Sequence, residues 1–133
     1  MENWVFPAEY DESYFPKRDS EYWFPVRETM DPQERDLAIA ARLRDVMEYA
    51  YRTSEFYREK WDAARVKPED IRSLEDFENV PVVTKQELRE SQLNSPPFGN
   101  YLCEPESEIY HIHGTSGTTG HPTAFAISRS DWR

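Results

Sequence analysis

The fold and the chemistry of this 133-residue chain are decided by one stretch, Gly114-Thr115-Ser116-Gly117-Thr118-Thr119-Gly120-His121-Pro122-Thr123. Its three glycines permit positive φ angles and a close approach of the backbone to a ligand. Between the glycines lie four hydroxyl groups, which can donate hydrogen bonds to anionic oxygens. The stretch is therefore suited to bind phosphate, although a polar, glycine-rich hairpin turn has the same composition.

Two short alternating segments flank this loop. Residues 109–113 alternate between apolar and polar side chains, and residues 123–127 do so again. Such alternation is typical of strands, so we expect a β-hairpin around the turn. The loop is not a Walker A motif, because that motif needs a glycine five residues before Gly120 and a lysine after it, whereas the chain has Thr115 and His121 there.

The region from 31 to 93 is predicted to be helical. Asp31 can cap a helix that begins at Pro32 and runs to about Tyr51. A second helix, capped by Thr53 or Ser54, should carry the aromatic residues of 56–61 into the core. One helical turn is expected at 73–77, and a capping box at 84–87 opens a further helix toward Gln92. The apolar stripe of the first helix comprises Leu37, Ala40, Ala41, Leu43, Val46, Met47 and Ala50.

The remaining segments are less regular. Residues 1–30 are rich in aromatic residues and prolines without a sustained period, which predicts an irregular arm. Residues 94–133 hold a loop, the hairpin and, at 128–131, the start of a further helix. We expect this chain to be the front part of a longer polypeptide, because the helix-start signal at 128–131 is followed by only two residues. The dense aromatic residues and unpaired strands also predict self-association, as a homodimer or as an aggregate.

Composition excludes several classes of function. The chain has 16 Lys and Arg residues against 26 Asp and Glu residues, a net charge of −10, which disfavours nucleic acid and anionic membranes as partners. Its mean hydropathy is −0.91, no window resembles a membrane span, and the N-terminus is acidic where a signal peptide would be basic. We therefore expect a cytoplasmic protein. Cys103 is the sole cysteine, so no internal disulfide can form.

Two groups of polar residues could be taken for binding sites, but each has a simpler structural explanation. His111 and His113 share a strand face and Cys103 lies upstream, yet three ligands with loose spacing are a poor metal site, so we expect hydrogen-bonded histidines and no metal. The acidic run Glu104, Glu106 and Glu108 is expected to be a solvated loop.

The sequence Thr115-Ser116-Gly117-Thr118-Thr119-Gly120-x-Pro122 resembles the phosphate-loop signature of the adenylate-forming superfamily. Upstream segments are similar to the phenylacetate-CoA ligase branch of that superfamily. They are Glu28-Thr29-Met30, Val80-Pro81-Val82-Val83-Thr84-Lys85 and His113-Gly114-Thr115. The resemblance covers about residues 20–133.

This resemblance implies an α/β fragment, with N-terminal helices followed by the first strands of the superfamily's N-domain sheet. It also implies ATP with Mg²⁺ and coenzyme A as co-substrates: a carboxylate attacks the α-phosphate, and the acyl-adenylate then forms a thioester. The phosphate-binding residues would be Thr115, Ser116, Gly117, Thr118, Thr119 and Gly120. His121 and Thr123 stand where the superfamily often has lysine, so we treat them as auxiliary.

The family's magnesium-binding glutamate, ribose-binding aspartate and catalytic lysine come later in its sequence. The resemblance therefore implies no catalytic residue within this segment, which we expect to be inactive alone. An aryl acid such as phenylacetate is the expected substrate of the intact enzyme. Two alternatives are a stand-alone interaction or oligomerisation module with a non-functional loop, and an adenylating enzyme that makes no thioester, as coenzyme F390 synthetases do.

Overall fold

The computed structural model describes residues 19–115 and 122–132, in which helices precede a two-stranded antiparallel sheet. This order confirms the predicted fold class. The helices are α1 (Pro25–Glu28), α2 (Pro32–Thr53), α3 (Glu55–Ala64), α4 (Leu74–Phe77) and α5 (Lys85–Asn94), with 3₁₀ turns at Pro68–Asp70 and Glu106–Glu108. The strands are β1 (Ile109–Gly114) and β2 (Ala124–Ser128). No helix in the described ranges combines the length and the apolar character that a membrane span needs.

Helix α2 begins as the sequence predicts. The Asp31 side chain accepts hydrogen bonds from the backbone N–H groups of Gln33 and Glu34, at 2.9 and 3.3 Å, and Pro32 occupies the first helical position. Ala40, Met47 and Ala50 are buried, as the apolar stripe predicts. The predicted stripe is wrong at three of its positions, because Leu37, Ala41 and Val46 are exposed. The described elements pack on a narrower face of α2 than its pattern of apolar residues covers.

The hydrophobic core lies where α2 meets α3. Ser54 caps α3 by accepting a hydrogen bond from the Tyr57 N–H, and α3 ends because Arg65 adopts the left-handed conformation, with φ of 57°. Trp61 is 5% exposed, and the Tyr51 ring stacks on it at 6.4 Å between centroids. The prediction that the aromatic residues of α3 serve the core is confirmed for Trp61 and Tyr57, whereas the half-buried Phe56 packs against Tyr57 and Tyr101. The buried cluster comprises Met47, Ala50, Trp61, Val66 and Ile71.

The structure corrects the prediction for the N-terminal arm. Residues 1–18 lie outside the described residues, but the arm is not irregular throughout, because Pro25–Glu28 form α1. Pro25 supplies a fixed φ at the first helical position, and the Glu28 carboxylate accepts a hydrogen bond from the Phe24 N–H at 2.5 Å. The sequence prediction missed this helix because a single turn shows no apolar period.

Helix α5 is fixed at its start by a reciprocal cap and an ion pair. Thr84 Oγ1 accepts from the Glu87 N–H, and Glu87 Oε2 accepts from the Thr84 N–H at 2.7 Å, which confirms the predicted capping box. Glu87 Oε1 also pairs with the Lys60 ammonium group of α3. This pair ties α5 to the helix that carries Trp61, and so to the core.

The ion pair predicts a pH dependence of stability. The Lys60 ammonium group, followed by the Thr84 hydrogen bonds, lowers the pKa of Glu87 to about 2 from an ordinary value of 4.5. A lowered folded-state pKa stabilises the fold at pH values above 4.5, and this contribution is lost as the pH falls from 4.5 toward 2. Glu87→Gln should therefore flatten the dependence of the unfolding midpoint on pH in that range, while glutamine can still cap the helix.

The matched control is Glu90→Gln, which removes an exposed carboxylate from the same helix and should retain the wild-type slope. Circular dichroism during urea unfolding at several pH values measures both variants. If Glu87→Gln keeps the full wild-type dependence, the Lys60 pair does not stabilise α5.

The hairpin has the predicted position and pairing. Gly114 pairs with Ala124, His113 with Phe125 and Ile112 with Ala126, and the register shifts between Ile109 and His111. Nearly all of β1 is exposed, including Tyr110 and Ile112. Self-association through such a surface stays a prediction.

Candidate functional site

At the base of the predicted phosphate loop, two hydrogen bonds join Thr115 to Thr123, and we call this pair the neck. The Thr115 N–H donates to the Thr123 carbonyl at 3.1 Å, and the Thr123 N–H donates to Thr115 Oγ1 at 3.1 Å. Thr123 is fully buried. These bonds extend the hairpin ladder by one pair and fix where the loop leaves and re-enters the sheet. The other predicted phosphate-binding positions, Ser116, Gly117, Thr118, Thr119 and Gly120, lie outside the described residues, as does His121.

Helix α5 contacts the exit of the loop through two side chains on one of its faces. Arg89 Nε donates to Thr123 Oγ1 at 3.3 Å. Gln92, three residues further along the helix, donates through Nε2 to the Ala124 carbonyl and to the Tyr101 hydroxyl, the latter at 2.7 Å. The Tyr101 hydroxyl also donates to the Ala124 carbonyl, at 2.9 Å. The start of β2 is thus held by three polar side chains from outside the sheet.

Tyr101 is placed by a tight turn before it. Gly99 has a φ of +82°, which favours glycine, and a Cβ at this position would lie 2.4 Å from Ser91 Oγ. The buried Ser91 hydroxyl accepts a hydrogen bond from the Asn100 N–H at 2.9 Å and donates one to Asn100 Oδ1 at 2.8 Å. The Asn100 carbonyl accepts from the Phe56 N–H at the start of α3. The turn therefore joins α3 and α5 and directs Tyr101 toward the hairpin.

The two strand histidines lie close together on one face of β1. Their ring centroids are 4.9 Å apart, and the His111 ring stacks on Trp132 at 4.7 Å with an interplanar angle of 12°. Both histidines are exposed. Sequence reasoning missed Trp132 as their partner, since the turn that follows β2 brings it back across the sheet. Within 19–115 and 122–132, no three His, Cys, Asp or Glu side chains are grouped so that they could hold a metal ion.

The acidic run before β1 differs in part from the prediction. Glu106 and Glu108 are exposed as expected, but Glu104 is half-buried and its carboxylate accepts a hydrogen bond from the Tyr49 hydroxyl. Burial and this carboxylate together raise the pKa of Tyr49. Burial also raises the pKa of the Cys103 thiol, which disfavours a reactive thiolate.

Tyr49, Cys103 and Glu104 line a cavity of about 70 Å³ between α2 and the end of β2. Small-molecule sites occupy roughly 300–1,000 Å³, so the cavity is far too small for a nucleotide. Ser128 lies in its wall and accepts a hydrogen bond from the Asp131 N–H at 3.2 Å. This is the cap geometry predicted for residues 128–131, which form turns in the described part of the chain.

Known proteins resemble this chain closely. The phenylacetate-coenzyme A ligase of Escherichia coli strain K12 is 36% identical over 104 residues, which are 78% of this chain and 23% of that enzyme. The Thermus thermophilus enzyme of the same name is 36% identical over 108 residues, 80% of this chain and 23% of its own length. No family model matches the chain.

A solved structure extends the likeness to nearly the whole chain. A 2-hydroxyisobutyryl-CoA ligase, in complex with 2-HIB-AMP and CoA, is 61% identical, with a TM-score of 0.90 over 99% of this chain and 28% of that enzyme. An open conformation of the ligase gives 58% identity and a TM-score of 0.88.

The chain therefore corresponds in sequence and fold to a segment of an adenylate-forming CoA ligase. Its relatives include phenylacetate-CoA ligases and a 2-hydroxyisobutyryl-CoA ligase, which confirms the predicted resemblance to this superfamily. The chain spans about a quarter of the length of these relatives.

Proposed function

We propose that this chain is the N-terminal segment of an ATP-dependent acid:CoA ligase, which adenylates a carboxylic acid with Mg-ATP and transfers the acyl group to coenzyme A. One observation carries the proposal, the 61% identity along 99% of the chain to a ligase whose structure contains an acyl-adenylate and CoA. At that level of identity over a shared fold, the segment serves the same kind of reaction.

The segment's own part is to hold the triphosphate. Backbone and hydroxyl donors of residues 115–120 would bind the β- and γ-phosphates and stabilise the charge that develops on the departing pyrophosphate. The neck supports this assignment, because Thr115 and Thr123 fix both ends of the loop against α5. The role is electrostatic and positional, without proton transfer by the loop.

Two kinds of carboxylic acid are candidate substrates. The relative with 61% identity acts on 2-hydroxyisobutyrate, which favours a small branched hydroxy acid. The phenylacetate ligases, at 36% identity, favour an aryl acid. We propose the hydroxy acid as the first candidate and phenylacetate as the second.

Thioester formation by the intact polypeptide tests the function. We expect the purified protein, given Mg-ATP, CoA and either acid, to release AMP and form an acyl-CoA, with the higher kcat/KM for 2-hydroxyisobutyrate. Pyrophosphate release with an adenylate as the product, and with neither AMP nor a thioester, would favour the enzyme that only adenylates. No turnover with any acid would favour the interaction module. Residues 1–133 alone should give no product, because the later catalytic groups of the family are lacking.

A further inference from the structure

We propose that Arg89 is a positioning residue for ATP: it orients the phosphate loop through the hydroxyl of Thr123 and does not itself need to touch the nucleotide. This inference rests on the proposed function, since it names a residue that serves the same triphosphate site. Nothing in the loop signature points to α5, so the assignment comes from the geometry alone.

The hairpin needs such a support. A two-stranded hairpin is marginally stable by itself, and nearly all of β1 is exposed. The base of the loop therefore needs a contact that fixes it to the core. The neck bonds close the loop, but they fix only its two ends relative to each other.

The contact from Arg89 fixes the neck relative to the core. Thr123 is 0% exposed, and its hydroxyl accepts from Arg89 Nε while its N–H donates to Thr115 Oγ1. Helix α5, which carries Arg89, is joined to α3 by the ion pair between Lys60 and Glu87. A continuous series of contacts thus runs from the core to the loop.

The same contact explains why threonine suits position 123. A lysine at this position would place an ammonium group beside the Arg89 guanidinium in a fully buried site. Two like charges at that distance repel, and burial removes the water that would screen them. Thr123 accepts the arginine's hydrogen bond without adding a second charge at this buried position.

Kinetics of the intact polypeptide test the inference. Arg89→Ala should raise the KM for ATP by about tenfold, the loss expected when a charged hydrogen bond to a buried acceptor is removed. The KM for the carboxylic acid should not change. A merely structural loss would lower the active fraction, and hence kcat, without moving the KM for ATP alone.

A double-mutant cycle separates the route through Thr123 from a direct effect of the charge. Thr123→Val should raise the KM for ATP, Thr123→Ser should leave it near the wild-type value, and the Arg89→Ala/Thr123→Val pair should be no worse than Arg89→Ala alone. Arg129→Ala, which removes an exposed arginine at the other end of β2, is the matched control and should retain wild-type kinetics.

Two results overturn the inference while the proposed function stands. One is wild-type ATP kinetics in Arg89→Ala, and the other is multiplication of the two single effects in the double variant, which would mean that Arg89 acts independently of Thr123. If the wild-type polypeptide itself turns over no ATP with any acid, the proposed function has failed instead.

Discussion

Replacing Thr118 and Thr119 together with valine is expected to lower kcat/KM for ATP of the intact polypeptide by about 100-fold or more, because each hydroxyl bonded to a charged phosphate contributes roughly 1.5–3 kcal/mol. Valine keeps the shape of threonine and replaces its hydroxyl group with a methyl group. If the bonds strengthen as charge moves onto the departing pyrophosphate, kcat falls together with the rise in KM.

The matched control is the Thr29→Val/Thr53→Val double variant. These two threonines donate to helix carbonyls, those of Pro25 and Tyr49, at 2.6 and 2.7 Å, and lie on exposed positions. The control should retain wild-type kinetics for ATP. Wild-type kinetics in the Thr118→Val/Thr119→Val variant would instead show that residues 115–120 are not the phosphate loop. The stand-alone interaction module would then be favoured over the ligase.

The second large effect is expected in the core. Trp61→Ala should destabilise the fold by about 3–5 kcal/mol, the usual cost of truncating a buried tryptophan. Trp61 is 5% exposed and packs with Tyr51 and Tyr57 at the junction of α2 and α3. The space left by the removed indole ring cannot close unless both helices move. Trp61→Phe refills part of the space and should lose less.

Far-ultraviolet circular dichroism during urea unfolding of the intact polypeptide measures these variants without relying on tryptophan fluorescence. Trp23→Ala, at a position that is 57% exposed, is the matched control and should shift the midpoint little. A Trp61→Ala midpoint equal to that of the control would mean that the core described here does not determine stability.

Local signals let the sequence predict most of the helices. The predicted caps at Asp31, Ser54 and Thr84 each lie next to the backbone N–H groups they accept from, and all three form. A capping interaction spans three residues, so the residue types suffice to find it. The hairpin was predictable for the same reason, since alternation and a polar turn are both local.

Burial and long-range support could not be predicted in this way. Leu37 and Val46 fit the apolar period of α2, yet they are exposed, because periodicity identifies a face and not the elements that cover it. The contact between Arg89 and Thr123 joins residues 34 positions apart. No spacing rule reports such a pair, and polar side chains at 89 and 92 are ordinary on a surface helix. The loop signature identified the chemistry but not what supports the loop.

Acid-dependent exchange between ATP and radiolabelled pyrophosphate, measured on the intact polypeptide without CoA, tests the central claim most directly. Exchange requires a reversible attack of a carboxylate on ATP and nothing that follows it. The account predicts exchange that depends on 2-hydroxyisobutyrate or phenylacetate and is absent from residues 1–133 alone. Exchange by the isolated segment, or none by the intact polypeptide with any carboxylic acid, would contradict it.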